Sequence, residues 1–230
     1  MKTRITAAAV ALLLCSLACP VYADVVIDLI DPITGADSGW SAILADDIHN
    51  GIVVDKVRSS YVRIEISKDF YLPPVNGCFP PNTIIFQQRL VDALTVPTIQ
   101  ITDETIFNNT GVDWTDYHWE ILGASAAFDK AATDKSGFSI NPFTNKTWGA
   151  VQTGWGPDHR ISLNVDGGVV ADGEWFLPGL AQGKLYIDTD LSGCCTEFAL
   201  MQCPTPEPGT LLILAGGAAI GLFRRNRRRI

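Results

Sequence analysis

The segment 113–120, which reads DWTDYHWE, holds the densest set of side chains able to do chemistry. If the segment forms a strand, alternate residues share a face, so Tyr117 and Trp119 point to one side. The other side would carry Asp116, His118 and Glu120. A row of carboxylate, imidazole and carboxylate could bind a metal ion or transfer protons, and an exposed Trp114 beside it could stack on a sugar ring. The alternative is a solvent-facing polar row behind a core-facing aromatic row.

A shorter acidic segment, DTDLSG at 188–193, matches the first half of a calcium-binding loop. In such loops, oxygen ligands on alternate residues converge where a glycine lets the chain turn. The candidate ligands are Asp188, Asp190 and Ser192. The match then ends, because the twelfth position is Ala199 and the usual bidentate glutamate is missing. We therefore expect no obligatory cofactor, with calcium as the one candidate and a plain turn between strands as the alternative.

Signatures of nucleophilic and zinc catalysis are missing from the sequence. There is no Gly-x-Ser-x-Gly elbow and no H-E-x-x-H motif, and His49 and His159 lack ligand spacing with His118. Paired carboxylates for glycoside hydrolysis would come from distant strands of an all-β fold, so sequence spacing does not reveal them. We expect a protein that is not an enzyme and has no catalytic residues, with a glycan-active hydrolase as the weakest alternative.

The first 23 residues, MKTRITAAAVALLLCSLACPVYA, have the three parts of a secretory signal peptide. Basic Lys2 and Arg4 precede a short apolar stretch, and Val21-Tyr22-Ala23 places small residues where a signal peptidase cuts. We expect cleavage after this segment, which makes 1–23 a signal peptide. Lipid attachment at Cys19 is the alternative, although the residues before this cysteine fit the lipid-attachment motif poorly.

Four cysteines remain beyond the predicted signal peptide, and an even number in an exported chain favours two disulfides. They are Cys78, Cys194, Cys195 and Cys203. A bridge between the two adjacent cysteines would close a strained ring. We therefore expect Cys78 to pair with one of the adjacent cysteines and Cys203 to pair with the other. A four-cysteine zinc site is the competing use, but the sequence lacks paired C-x2-C spacing.

These side chains must be positioned by β-strands, because short runs of period two, separated by Gly, Pro, Asn and Asp, dominate residues 24–203. Only 39–48 and 124–132 are expected to hold a turn or two of helix. Strands without alternating helices indicate one all-β domain over 24–203, an antiparallel β-sandwich with a jelly-roll-like topology. The predicted strands are 25–29, 52–57, 61–67, 84–90, 98–102, 117–122, 161–165, 174–177, 184–188 and 196–201.

The predicted domain is strongly acidic. Of the 25 acidic residues in the chain, 24 lie in 24–203, together with only 10 of the 17 basic residues. Such a surface repels nucleic acid and anionic lipid, so we expect no nucleic-acid partner. Divalent cations and cationic polymers are the partners that such a charge could attract. The alternative is that it only keeps an exported domain soluble.

The end of the chain, PTPEPGTLLILAGGAAIGLFRRNRRRI at 204–230, has three consecutive parts. Pro206, Glu207 and Pro208 hold the backbone extended and are expected to end any strand or helix, because proline fixes its own backbone and restricts the preceding residue. The uncharged 209–223 would form one transmembrane helix of about 22 Å, short for a hydrocarbon core of about 30 Å. A basic cluster then holds the end of the chain in the cytoplasm. The cluster consists of Arg224, Arg225, Arg227, Arg228 and Arg229.

This tail resembles the PEP-CTERM sorting signal, found on proteins that exosortase processes in Gram-negative bacteria making extracellular polysaccharide. The resemblance rests on the motif 206–208, the transmembrane segment 209–223 and the basic tail 224–230, in that order. It implies that exosortase, a multipass membrane enzyme, recognises the motif, cuts near it and delivers the body to the cell surface or matrix. The inner membrane is then a partner before processing. The alternative is a permanent single-pass anchor.

The resemblance implies little about the activity of the body, because the bodies of such proteins share no single function. We expect a non-enzymatic structural or adhesive component of the cell surface or of an exopolysaccharide matrix, as in a biofilm. The alternative is a carbohydrate-binding module of that matrix, which would stack exposed tryptophans on sugar rings. The tryptophan candidates are Trp40, Trp114, Trp148 and Trp155.

Overall fold

A computed structural model describes residues 24–45, 49–75, 78–180, 182–192 and 196–206. The predicted signal peptide 1–23, the predicted transmembrane segment 209–223 and the basic tail 224–230 lie outside these residues, as do Cys194 and Cys195. Within the described ranges, no helix combines the length and the apolar character needed to cross a bilayer.

Most of the described chain forms strands. One α-helix among these residues, α1, spans Lys130–Ser136, and a short 3-10 helix spans Asp92–Leu94. The strands are β1 (Val25–Ile30), β2 (Asp37–Leu44), β3 (Asn50–Arg58), β4 (Tyr61–Phe70), β5 (Asn82–Gln88), β6 (Thr98–Asn108), β7 (Trp114–Leu122), β8 (Ala126–Asp129), β9 (Asn145–Trp148), β10 (His159–Arg160), β11 (Ser162–Val170), β12 (Trp175–Phe176), β13 (Leu185–Thr189) and β14 (Glu197–Pro206).

The strands form two sheets around one core. The first sheet has the order β1-β2-β5-β14-β7-β11-β9, and the second has the order β10-β8-β13-β6-β4-β3, with β12 also paired to β6. Inward side chains of both sheets belong to one continuous hydrophobic cluster, with Trp40 and Trp119 from the first sheet and Ile64 and Phe128 from the second. The all-β sandwich predicted from the sequence is thus confirmed, and the jelly-roll topology stays a prediction.

Alternation of side chains was a reliable signal for strands. In β4, Val62, Ile64 and Ile66 are buried while the residues between them are half-buried or exposed. Each of the ten predicted strands overlaps a strand of the structure. The strands that sequence analysis missed are β2, β8, β9 and β10, which are flat in hydropathy or too short to show a period.

The helix predicted for 39–48 is wrong over 39–44, while 46–48 lie outside the described residues, and the helix predicted for 124–132 is mostly wrong. The first segment contributes to β2, where pairing with β1 and β5 buries Trp40 and overrides any local preference. The second segment forms β8 and only then enters α1. Asp129 marks the change, because its side chain caps the helix by accepting a hydrogen bond from the N–H of Ala132 at 2.9 Å.

The expected antiparallel pairing has one exception among the described strands. β4 and β6 run parallel, with Tyr61 opposite Thr98 and Phe70 opposite Asn108. The chain leaves β4, forms β5 in the opposite sheet and then returns to the second sheet as β6. Parallel neighbours need such a crossover, because a tight hairpin joins only antiparallel strands.

A buried polar cluster lies between the two sheets. Glu104 of β6 accepts hydrogen bonds from Trp119 Nε1 and Gln202 Nε2, each at 2.9 Å. Lys68 Nζ of β4 lies 3.6 Å from Glu104 Oε1, and the side chains of both residues are 0% exposed. Tyr117 donates from its hydroxyl to Gln202 Oε1 at 2.8 Å. We call these five residues the Glu104 cluster; they place one charge of each sign in an otherwise apolar core.

Asp31 ties the first hairpin to the opposite sheet. Its Oδ1 accepts hydrogen bonds from the backbone N–H groups of Ile33 and Thr34, each at 2.9 Å. Its Oδ2 accepts from the backbone N–H of Val57 in β3 at 3.2 Å. These donors, led by Thr34, stabilise the ionised carboxylate and lower the pKa of Asp31 from 3.8 to about 2.

The substitution Asp31→Asn is expected to lower stability at neutral pH and much less in strong acid. The folded pKa of Asp31 lies below the unfolded value of 3.8, so its contribution is present above 3.8 and is lost as the pH falls toward about 2. The midpoints of urea unfolding of the variant and of the unsubstituted protein, measured at neutral pH and in strong acid, give the two losses of stability. Asp158→Asn, on an exposed turn, is the control. An equal loss at both pH values would contradict this account of Asp31.

Candidate functional site

The polar row of β7 lies on the outer face of the first sheet. Tyr117 and Trp119 are buried in the core, while the alternating polar residues are half-buried and face outward. These polar residues are Asp116, His118 and Glu120. The alternation predicted for this segment is therefore confirmed. Because β7 lies between β14 and β11, two neighbouring strands supply the surroundings of the row.

Within this row the structure brings His118 and Glu120 together. His118 Nε2 lies 3.3 Å from Glu120 Oε2, and His118 Nδ1 contacts the side-chain oxygen of Asn164 on β11. Asp116 pairs with Thr205 of β14, and its charge adds to burial and Cys78 in raising the pKa of the Cys203 thiol. In the described ranges, no three or more His, Cys, Asp or Glu side chains are grouped so as to hold a metal ion. The row can bind a polar ligand through the paired imidazole and carboxylate.

Trp114 was expected to be exposed beside this row, and that expectation is wrong. Its side chain is 0% exposed, and its Nε1 donates to Thr110 Oγ1 at 3.2 Å. Asp116 pairs with Thr205 of β14, and Trp114 pairs with Pro206. Two residues of β7 therefore lie opposite a step of one residue in β14, which is a β-bulge. Such a bulge changes the face to which the next side chain points. Trp114 therefore joins the core instead of the outer surface.

The other tryptophan candidates are buried or half-buried. Trp40 is buried, and its Nε1 donates to the backbone carbonyl of Val96 at 2.9 Å. Trp148 and Trp155 are half-buried, and the Trp155 ring lies 4.9 Å from the His159 ring between centroids. Of the four candidates, only these last two retain any exposed ring.

Trp175, which sequence analysis missed, forms part of a surface groove of about 400 Å³. Its side chain is 52% exposed, and its ring centroid lies 4.5 Å from that of Phe107. Other residues lining the groove include Asn141, Val169, Glu174 and Leu180. The sequence held a signal for this position: Phe176 is buried, so alternation within β12 turns its neighbour outward.

The calcium candidates take protein partners of their own. Asp188 Oδ1 accepts from Thr98 Oγ1 at 2.9 Å, and Oδ2 lies 3.2 Å from His159 Nε2. Asp190 Oδ1 accepts from the backbone N–H of Ser192 at 2.9 Å, and this hydrogen bond lowers the pKa of Asp190. Contacts of the latter kind are typical of aspartates that close turns. Calcium binding stays a prediction.

Cys78 and Cys203 are free thiols in the structure, so the disulfides predicted from them to Cys194 and Cys195 are not found. Cys203 lies near the carboxyl end of β14. Its Sγ is 3.6 Å from the backbone oxygen of Phe79, the residue that follows Cys78 in the sequence. Cys194 and Cys195 themselves lie outside the described residues.

The Cys203 thiol is not activated for chemistry. Burial, together with Cys78 and Asp116, raises the pKa of Cys203 to about 11. Cys203 is opposite His118 in the ladder between β14 and β7, but the imidazole contacts Asn164 and Glu120 instead. A thiol that stays protonated is a poor nucleophile. Cys203 and His118 are therefore neighbours in the ladder without forming an activated thiol and imidazole pair.

β14 extends further than predicted and includes the first proline of the tail motif. Pro206 is the last residue of the strand and pairs with Trp114, so the strand reaches the first proline of the motif before it ends. The pairing of β14 with β5 ends at Gln202, after which only β7 remains beside it. Pro204 and Pro206 are two residues apart, so their backbone nitrogen atoms point to the same edge of the strand. This is the edge that β5 no longer covers, so the missing N–H groups interrupt no ladder hydrogen bond. Glu207 and Pro208 lie outside the described residues.

Residues 204–229 match the family described as the PEP-CTERM protein-sorting motif. This match confirms the resemblance inferred from the motif, the apolar segment and the basic tail, and it covers the tail alone. Comparisons with curated proteins and with solved structures gave no match. The role of the body must therefore be argued from its own geometry.

In the reduced protein, iodoacetamide is expected to alkylate exposed Cys78 at least about tenfold faster than Cys203 at pH 8, because a thiol with a pKa of about 11 is almost wholly protonated there. Peptide mass spectrometry over time gives both rates. Raising the pH to 10 should accelerate Cys203, and Asp116→Asn should accelerate it at pH 8 by removing a neighbouring charge. Equal rates at pH 8 would contradict the shielding of Cys203.

Proposed function

We propose that this chain is an exported protein of a Gram-negative bacterium, sorted and processed by exosortase through its PEP-CTERM motif. The tail holds it in the inner membrane as a single-pass intermediate, and the body then reaches the cell surface or the extracellular matrix. There the body acts as a non-enzymatic structural or adhesive β-sandwich. The observation that carries the proposal is the direct continuation of β14 into the sorting motif.

The position of β14 suits a body that is held by its carboxyl end. β14 pairs with β5 over 197–202 and with β7 over 199–206, so it is hydrogen-bonded on both sides near its middle. A pull on the tail acts along the strand, while the ladder hydrogen bonds lie across it. The hydrogen bonds of both ladders are then loaded at the same time. Extracting the strand requires breaking them together, which needs more force than breaking one hydrogen-bonded pair after another.

The outer face supports a non-enzymatic role. His118 and Glu120 form the paired acid and base of the β7 row, but the nearest thiol, Cys203, has a raised pKa. Nucleophilic catalysis requires an activated nucleophile beside its base. The row offers polar contacts to a partner, but among the described residues beside it Cys203 is not an activated nucleophile.

The double substitution of Pro206 and Pro208 by alanine is expected to leave the tail on the protein and to reduce surface display, because the motif loses its fixed extended backbone. The mass of the surface fraction shows whether residues near the motif are cut, and protease treatment of whole cells measures display. Pro157→Ala, at an exposed turn, is the matched control. Normal processing and display of the double variant would argue against sorting through this motif.

The Trp175 groove favours a second function, a carbohydrate-binding module for exopolysaccharide. Aromatic rings flanked by polar groups are suited to sugars, since the ring packs on the apolar face and polar groups bond the hydroxyls. Here Trp175, whose ring packs beside that of Phe107, supplies the aromatic surface, and Glu174 and Asn141 supply polar groups at the groove.

If the groove binds sugar, Trp175→Ala should weaken glycan binding by about tenfold or more, a loss of about 1.4 kcal/mol. A glycan array identifies the ligand, and calorimetry on the purified body compares affinities. Trp155→Ala, at a half-buried tryptophan outside the groove lining, should leave the affinity unchanged. An equal loss in both variants would contradict binding at this groove, and sugar products released from polysaccharide would favour a hydrolase instead.

A further inference from the structure

The Glu104 cluster contains a buried amine that lacks a hydrogen bond. Lys68 Nζ lies 3.6 Å from Glu104 Oε1, which is beyond hydrogen-bonding distance, and it has no other partner among the described residues. A charged ammonium in an apolar core normally requires several such bonds. Burial lowers the pKa of Lys68 from 10.5 to about 8, although Glu104 opposes this shift. The neutral amine, which is nucleophilic, is therefore accessible near neutral pH.

A carboxamide shares the same carboxylate oxygen. Gln202 Nε2 donates to Glu104 Oε1 at 2.9 Å, so this oxygen faces both the amine of Lys68 and the amide nitrogen of Gln202. Tyr117 donates its hydroxyl hydrogen to the carbonyl oxygen of Gln202 at 2.8 Å. Trp119 Nε1 holds the second oxygen of Glu104 at 2.9 Å. The amine of Lys68 and the polarised carboxamide of Gln202 thus approach the same buried carboxylate, which can carry a proton between them.

From this arrangement we propose that the protein forms an intramolecular isopeptide bond between Lys68 and Gln202, with Glu104 as the proton carrier. The lone pair of neutral Lys68 Nζ attacks Cδ of Gln202, and a new C–N bond forms. Glu104 accepts a proton from the attacking nitrogen and passes it to Gln202 Nε2. The bond between Cδ and Nε2 then breaks, and ammonia leaves. The products are one secondary amide and one ammonia, so no oxidant or cofactor is needed.

Each remaining member of the cluster has a definite part in this reaction. The Tyr117 hydroxyl stabilises the negative charge that develops on the Gln202 carbonyl oxygen, as donors of an oxyanion hole do. Trp119 is a positioning residue, because it orients the carboxylate of Glu104 without touching the reacting atoms. The surrounding core excludes water, which would otherwise solvate the amine.

The bond would join the two sheets covalently through the strand that leads to the tail. Lys68 lies on β4 of the second sheet, and Gln202 lies on β14 of the first. Gln202 is four residues before Pro206, so the link would lie between the body and the point where the tail is handled. Force applied to the tail would then reach a covalent bond after four residues of strand.

Mass spectrometry of the purified, reduced full chain tests the proposal. After incubation at pH 8, the protein is expected to weigh less than its sequence by one ammonia, and digestion should release a branched peptide that joins Lys68 to Gln202. The full mass without a branched peptide would overturn the proposal. Loss of water with a branch between Lys68 and Glu104 would overturn it as well.

Matched variants assign the roles. Lys68→Arg removes the nucleophile, and Glu104→Gln keeps the shape of the carrier without its basicity, so both should retain the full mass. Lys146→Arg alters another partly buried lysine, which donates to the Phe138 carbonyl, and should still lose ammonia. Ammonia loss in Lys68→Arg would overturn the proposal. If Glu104→Gln does not fold, the presence or absence of the branched peptide in the unsubstituted chain decides whether the bond forms.

The rate of bond formation separates chemistry from structure. Tyr117→Phe keeps the ring in the core and removes only the donor to the Gln202 carbonyl, so bond formation should slow by about a hundredfold or more. Fully reacted Tyr117→Phe protein should have the same branched peptide as the unsubstituted chain. An unchanged rate would show that Tyr117 has no part in the reaction and would overturn the assigned mechanism.

Discussion

One buried carboxylate constrains both sheets of this protein. Glu104 is fully buried, and its oxygens are satisfied by Trp119 and Gln202 from the opposite sheet, with Lys68 beside it in its own sheet. An ionised group in an apolar core is tolerated only when it is paired, and loss of one partner costs about 3–5 kcal/mol. A slip of one residue in a participating strand would turn its donor to the other face. The Glu104 cluster therefore favours one register between the sheets.

The same constraint sets how the tail leaves the body. Gln202 must point inward to reach Glu104, so alternation turns Cys203 outward and places Pro204 inward again. Beyond Gln202, β14 has lost its β5 neighbour, and the prolines follow at the positions where their missing N–H groups break no ladder. The sorting motif thus begins inside the last strand rather than after a flexible linker. The core and the sorting signal are mechanically coupled through four residues.

The candidate site was only partly predictable from the sequence. Alternation correctly placed Tyr117 and Trp119 in the core and His118 and Glu120 outside, because this rule depends only on local strand geometry. It failed at Trp114, where a bulge against β14 reverses the face. A bulge arises from the pairing of two strands that are remote in sequence, so no local pattern reveals it.

The sequence by itself determined the sorting signal, the strand-rich composition and the positions of ten strands, since motifs, prolines and period-two hydropathy are local properties. Tertiary structure alone decided the parallel pairing of β4 with β6 and the strand formed by 39–44. It also decided that Lys68, Glu104 and Gln202 meet. These residues come from strands far apart in the chain, and only the packing of two sheets brings their side chains to one point.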